Sequence, residues 1–339
     1  MKENKLDTLL IIRGLLAVAV VIWHVTSNNN TVPAGISVPG RTAVWFFFGI
    51  SGYVISYGFF TERYRLNVKD IKVFYLNRFL RIYPLFLFLS LLTLLTEYLV
   101  TGQSLISIAD IPSQFFMLQF QHEYHLSGVF WTLGIEVQFY LIAPLLILLF
   151  TDKSKYLILA AVYILLLAWL PFAFYIFGWS FDGRNLISNL SHFFIGMIGC
   201  RFVLDKKTIK INNYILVGSI LVIIAITDYL YAHLIRYYWT LGTVLIDMAI
   251  FLSICLHANL KGRTVTQKNL LVRIFSFLGI ISYGVYAWHP YLVKYIPLLE
   301  TSVMLAIGVT VLAAFLSYKL LEQPILRLKK NGLKIAAIS

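Results

Sequence analysis

Apolar runs of about twenty residues, the length of a transmembrane helix, alternate with short polar gaps along almost the whole chain. Ten runs stand out, at 9–26, 41–60, 80–100, 126–150, 156–178, 185–204, 213–231, 236–256, 273–298 and 302–321. Each is near the length a helix needs to cross about 30 Å of hydrocarbon at about 1.5 Å per residue. The pattern predicts an all-α integral membrane protein, a bundle of about ten transmembrane helices. The gaps are too short to hold another domain, and no internal repeat interrupts the series. The expected organisation is one transmembrane domain over 1–330 and a short cytoplasmic tail over 331–339, with no appended soluble domain. The first run could be mistaken for a signal peptide. Arg13 inside it, with no small-x-small cleavage site after it, argues that it is retained.

Composition agrees with the periodicity. Of 339 residues, 60% are hydrophobic and 13% are charged, against about 25% charged in a soluble protein. The formal net charge of +13 would suit nucleic acid only if it formed a basic stripe on a soluble face. Here the basic residues sit in the gaps instead, and nucleic acid is excluded as a partner. Twenty-two of the 28 lysines and arginines fall in alternate gaps (2–5, 61–81, 151–155, 201–210, 261–273 and 327–334). The other set of gaps holds Arg41, Arg184, Arg236 and Lys294. The positive-inside rule then places both termini in the cytoplasm with an even number of spans. Cys200 and Cys255 both lie in or beside apolar runs, which suits buried thiols rather than a disulfide or metal framework.

Within this topology a few polar residues are out of place. The first run reads RGLLAVAVVIWHV. Arg13 and His24 are eleven residues apart, three helical turns plus about 20°, so they share a face about 16 Å apart along the axis. Membrane-boundary duty, with Arg13 snorkelling inward and His24 among outer headgroups, is the alternative. The fourth run carries FWTLGIEVQFY. Glu136 lies at hydrocarbon depth, where a carboxylate marks a functional site with a partner. Thr132, Glu136 and Tyr140 recur every four residues as one polar stripe, with Trp131 at its upper edge. The ninth run carries SYGVYAWHP, and Ser282, Tyr286 and His289 share a face.

Orientation puts His24, Glu136 and His289 at similar outer depths. An imidazole held by a carboxylate suits removal of a proton from an attacking hydroxyl. His122 and His125, three residues apart in an outer gap, touch an acceptor or simply sit at the interface. No histidine or cysteine spacing supports zinc, so no metal is expected. On the cytoplasmic side YLNRFLRIYP sets Arg78 and Arg81 on one helical face, and paired guanidiniums suit phosphate. Lipid headgroups are their other partner. In FFFGISGYVIS, Gly52 and Ser56 have the small-xxx-small spacing of close helix packing. Ser51 is a potential nucleophile with no base fixed beside it in sequence.

Taken in order, the Arg13…His24 pair, FFFGISGYVIS, Arg78-x-x-Arg81-x-x-Pro84, WTLGIEVQFY, SYGVYAWHP and LLEQP resemble the membrane-bound acyltransferase 3 family. The resemblance covers nearly the whole chain. Thr132 stands where the family usually has serine, and Gln323 where lysine is common. The resemblance implies an acyl-CoA-dependent O-acyltransferase of the bacterial cytoplasmic (inner) membrane, multi-pass in the lipid bilayer. Its implied reaction moves acetyl from cytoplasmic acetyl-CoA, or another acyl-CoA, to a hydroxyl of a surface glycan or lipid-linked sugar. In the family the residue matching His24 is essential and the paired arginines serve acyl-CoA. This implies His24 as catalytic and Arg78 and Arg81 as acyl-CoA-binding. The polar positions themselves add Glu136 as catalytic support for His24, which takes a proton or briefly carries the acyl group. They also add Arg13 as acyl-CoA-binding, toward the cofactor or the thioester carbonyl. Ser51, Trp131, Thr132, Tyr140, Ser282, Tyr286 and His289 would shape the substrate cavity. A transporter or flippase for a glycan or small solute, without CoA chemistry, is the competing expectation.

Overall fold

A computed structural model describes residues 7–28, 39–107, 110–117, 126–148, 162, 163, 165, 184–205, 211–261 and 270–327. Among these residues the architecture is entirely helical. The principal helices are α1 (Thr8–Asn28), α2 (Gly40–Phe60), α3 (Val68–Thr101), the short α4 (Ile111–Phe116), α5 (Trp131–Leu148) and α6 (Leu186–Leu204). They continue with α7 (Asn213–His233), α8 (Thr243–Leu260), α9 (Leu270–Ile280), α10 (Ser282–Tyr295) and α11 (Val303–Ser317). A π turn, Tyr238–Gly242, leads into α8, and another, Tyr318–Glu322, follows α11.

Eight of the described helices are long and apolar enough to cross a membrane, and α9 with α10 makes a ninth if that pair is one span. The 273–298 run is not the single helix expected. It breaks between Ile280 and Ser282, and its halves meet at 68°. Ser282 Oγ donates to the carbonyl of Gly279 at 2.9 Å, which satisfies an acceptor freed at the break. The 80–100 run also begins earlier than expected. Asn67 accepts from the Asp70 amide at 2.9 Å and starts a 34-residue helix that includes the basic residues and Pro84. The 126–150 run becomes helical at Trp131. The 156–178 run lies outside the described residues except for Val162, Tyr163 and Leu165.

Two close approaches fix the packing. At Gly196 an added Cβ would meet the Gly49 carbonyl oxygen at 2.0 Å, and at Gly52 the Phe193 carbonyl oxygen at 2.2 Å. Glycine alone allows α2 and α6 this approach, so the small-residue contact of FFFGISG is made by its glycines. Phe139 stacks on Phe193 at 3.9 Å between ring centres, adding α5 to the pair. A buried polar set locks the same layer. His192 Nδ1 donates to Asp247 at 2.6 Å with both side chains fully buried, and Tyr163 donates to the other Asp247 oxygen at 2.9 Å. By contrast α7 turns Tyr214, Leu221 and Val222 outward, as a lipid-facing helix does.

The two ends of the bundle are distinct. Lys261, just after α8, bonds the Tyr57 hydroxyl near the end of α2 at 3.1 Å, and His257 lies 3.8 Å from Asp7 before α1. This is the basic end. At the opposite end Lys294 of α10 pairs with Glu97 of α3 at 2.7 Å, and Tyr295 donates to the same carboxylate.

Candidate active site

Between the ends, four helices converge on a cavity of about 490 Å³ including the solvent space at its opening. Arg13 enters it from α1, Ser51 with Val44, Phe47 and Phe48 from α2, Thr132, Leu133 and Glu136 from α5, and Ser282, Tyr283 and Tyr286 from α10. Six of these were singled out from the sequence: Arg13, Ser51, Thr132, Glu136, Ser282 and Tyr286. The i, i+4 spacing on α5 and α10 turns the polar stripes inward, and the break before Ser282 brings the stripe of α10 against α5.

Glu136 is the hub. The Ser51 hydroxyl and the Tyr140 hydroxyl each donate to its Oε1 at 2.5 Å. A carboxylate at this depth is stabilised by such short, charge-assisted bonds. Ser51 therefore has a carboxylate beside it, a partner that α2 alone could not reveal. Tyr140 carries Arg78 on its ring, 5.3 Å from guanidinium carbon to ring centre, and Phe74 holds the other contact at 5.4 Å. Arg78 thus braces the residue that braces Glu136, and neither it nor Arg81 lines the cavity. Arg81 lies within electrostatic reach of Arg13 and Tyr140.

His24 is placed differently from the expectation. Glu136 is committed to Ser51 and Tyr140, and His24 contacts Val20, His289 and, edge-on, the neighbouring Trp23 ring. Its Nδ1 lies 3.0 Å from the Val20 carbonyl oxygen and 3.3 Å from His289 Nε2, and the two rings are 4.7 Å apart. A carbonyl only accepts, so Nδ1 carries the hydrogen and the Nε2 lone pair is the one left for chemistry. His289 is fully buried. It packs against Tyr286, with ring centres 5.7 Å apart, and the Tyr286 hydroxyl meets Thr132 Oγ1 at 3.0 Å. Through these contacts the histidine pair adjoins the Thr132 wall of the cavity. Trp131 lies outside the lining, stacked 5.0 Å from the Arg41 guanidinium, whose other neighbour is Trp239 at 4.6 Å.

Several contributors were not legible in sequence. Arg41 counted only as a loop charge, yet it starts α2 between two indoles. Tyr283 lines the cavity and donates to the Ile82 carbonyl at 2.7 Å, tying α10 to α3. Glu322, part of LLEQP, is turned inward by the π turn, is 7% exposed and lies within electrostatic reach of Arg81. Its buried depth was the missing signal, because a lone acid near the chain's end reads as interfacial. His122 and His125 lie outside the described residues. Among the described residues no group of three or more metal-ligating side chains is placed to hold an ion.

A second cavity adjoins the first at Arg13 and opens at the basic end. A third, of about 500 Å³ including its mouth, lies at the opposite end among Leu89, Thr93, Phe130, Pro290, Tyr291 and Tyr295. Its Ala287 and Pro290 flank His289 in sequence.

Comparison with known proteins gives these cavities a chemical setting. A family model described as an acyltransferase domain matches residues 6–321. The chain is 25% identical over 369 aligned residues to the peptidoglycan O-acetyltransferase OatA of Listeria monocytogenes, covering 95% of this chain and 55% of that protein. It is 24% identical over 299 residues to a provisionally named acetyltransferase of Acidianus two-tailed virus, covering 85% and 84% of the two chains. A provisionally named O-acetyltransferase of Staphylococcus aureus strain COL is 24% identical over 374 residues, covering 95% and 57%. The chain thus spans a little over half the length of its Listeria and Staphylococcus relatives. No solved structure gives a significant match.

Proposed function

The chain belongs to this acyltransferase-domain family, and from that premise we propose that it is an O-acetyltransferase carrying acetyl from acetyl-CoA to a glycan hydroxyl across the cytoplasmic membrane. The observation that carries the reading is the cavity shared by Arg13, Ser51, Thr132, Glu136, Ser282 and Tyr286, adjoined at Arg13 by the cavity of the basic end, with a separate cavity at the opposite end. In this reading the bundle has ten spans in one domain, and its basic end, with both termini, faces the cytoplasm.

The donor enters at the basic end. Arg13 engages the thioester as it passes into the cavity, and its charge stabilises the oxyanion that forms on the carbonyl. Arg78 and Arg81 supply the positive field that draws the polyanion in, and Arg78 keeps Tyr140 and hence Glu136 in place. The acceptor hydroxyl arrives from the opposite end, where the separate third cavity lies. His24 Nε2 removes its proton as its oxygen attacks the acetyl carbonyl carbon. The carbon–sulfur bond then breaks, and the thiolate leaves as CoA after taking the proton back from the imidazolium. His289 holds the His24 ring, while Glu136 orders the Ser51 hydroxyl on the cavity wall and is itself held by Tyr140, which lies outside the lining. The Listeria relative's name specifies peptidoglycan; for this chain we extend the acceptor to a cell-surface glycan or its lipid-linked precursor.

Transfer of labelled acetyl from acetyl-CoA to envelope glycans, measured with purified protein in lipid, tests the reading. Wild-type protein should transfer, and His24→Ala should lose activity by about 10²–10⁴-fold, the usual worth of a general base. Unchanged transfer by a folded His24→Ala protein would overturn the mechanism. Glycan movement by wild type without any CoA dependence would instead make the protein a transporter.

A further inference from the structure

Apart from Arg13, the residues lining the cavity at the basic end have no part in the chemistry described so far. It holds about 970 Å³ including its mouth and is lined by Asp7, Leu9, Leu10, Arg13, Ile50, Tyr53, Val54, Tyr57, His257 and Lys261. These come from the start of α1, the inner half of α2 and the end of α8, whereas Arg78 and Arg81 stand on α3. The polar groups sit at its two extremities. Arg13 is the wall shared with the reaction cavity. At the mouth, exposed Lys261 places its ammonium 3.1 Å from the Tyr57 hydroxyl and 4.5 Å from the Tyr57 ring centre. Tyr53 stacks loosely on Tyr57, 6.1 Å between centres, and meets the His257 ring edge-on at 5.8 Å. Between the extremities the wall is apolar, from Leu9, Leu10, Ile50 and Val54.

This sequence of surfaces, cation and aromatic ring, then an apolar wall, then cation, fits a nucleotide-tailed acyl thioester with a long uncharged arm. We propose that Lys261, Tyr57, Tyr53 and His257 form the subsite for the phosphate and nucleotide end of the donor, with its pantetheine arm laid along α2 toward Arg13. The proposal rests on acetyl-CoA being the donor. Tyr57 and Ser51 are six residues apart on α2, about 9 Å of helical rise, a distance an extended pantetheine arm spans. Asp7 is the one acid in the lining, and its 3.8 Å approach to His257 turns it away from a simple cation site. Lys261 meets the phosphates as a point charge at the water boundary, and the tyrosine rings offer a purine a face to stack on.

A donor series separates binding of the nucleotide end from the chemistry. Wild type, Lys261→Ala and Tyr57→Ala would be assayed with acetyl-CoA and with S-acetylpantetheine, which has the arm but no nucleotide or 3′-phosphate. A charge-assisted contact is worth about 1.5–3 kcal/mol, so the KM for acetyl-CoA should rise at least about tenfold in Lys261→Ala with kcat little changed. KM for S-acetylpantetheine should stay at the wild-type value in both variants. Lys261→Arg, which keeps the charge, should recover most of the affinity. Equal KM changes for both donors would show a merely structural role and overturn the subsite, as would an unchanged KM for acetyl-CoA. If wild type used neither donor, the donor assignment itself would fall, and the subsite with it.

Discussion

At the residue scale the site is organised by which atoms are committed. Glu136 Oε1 accepts from both Ser51 and Tyr140. Glu136→Ala therefore removes charge and strands two buried hydroxyls, and acetyl transfer should drop by at least about a hundredfold. Glu136→Gln retains an acceptor and should fold at wild-type yield while remaining slower, as size-exclusion profiles beside initial rates would show. Arg41 offers the contrast. It is held between Trp131 and Trp239 and is outside the cavity lining, so Arg41→Ala should cost stability, not donor affinity. Two cation–π contacts at about 1 kcal/mol each should lower the thermal midpoint in detergent while leaving KM for acetyl-CoA unchanged. The sequence identified Glu136 because a carboxylate at hydrocarbon depth is conspicuous in any context. It could not identify the Ser51–Glu136 bond, because 85 residues separate the partners and no periodicity relates two helices to each other.

At the element scale, close approach and breakage do the positioning. Gly196 leaves no room for a Cβ against the Gly49 carbonyl oxygen, so Gly196→Ala must push α2 from α6. Overpacking of this kind costs about 1–3 kcal/mol, and because Ser51 rides on α2, activity should fall together with the melting temperature. Gly218→Ala is the control. Nothing lies within 4 Å of its Cβ position, and neither readout should move. The break at Ile280–Ser282 was hidden in the sequence, because an uninterrupted apolar run reads the same whether its helix is straight or bent. It matters because the 68° turn delivers Ser282 and Tyr286 to the cavity and His289 to His24. The long N-terminal extension of α3 was similarly understated. Its Asn67 cap is local chemistry, but its polar first turns lower the hydropathy that marks a span.

At the scale of the molecule, the charged gaps predict an orientation that labelling can test. Single cysteines at exposed Lys69 and at Gly102, on opposite ends of α3, should react with a membrane-impermeant maleimide from opposite sides of the membrane, Lys69→Cys from the cytoplasmic side. The native thiols, Cys200 and Cys255, are both buried and unpaired and should give little background. Labelling of both introduced thiols from the same side would refute α3 as a crossing helix, and reversed sidedness would refute the orientation. The same axis orders the three cavities: one at the basic end, one in the middle and one at the far end, with Arg13 shared between the first two.

The apolar runs by themselves determined a helical membrane protein, because crossing hydrocarbon obliges every backbone group to be satisfied within its own helix. They also exposed Arg13, His24, Glu136 and His289, because polar groups are costly there wherever the helices end up. Which of them meet was decided only by tertiary packing. Depth along one axis is written in each segment, but the rotation and neighbours of a helix depend on contacts with the others. The structure therefore gave Glu136 to Ser51 and Tyr140, gave His24 to His289, and opened beside Arg13 a cavity that no single segment announces.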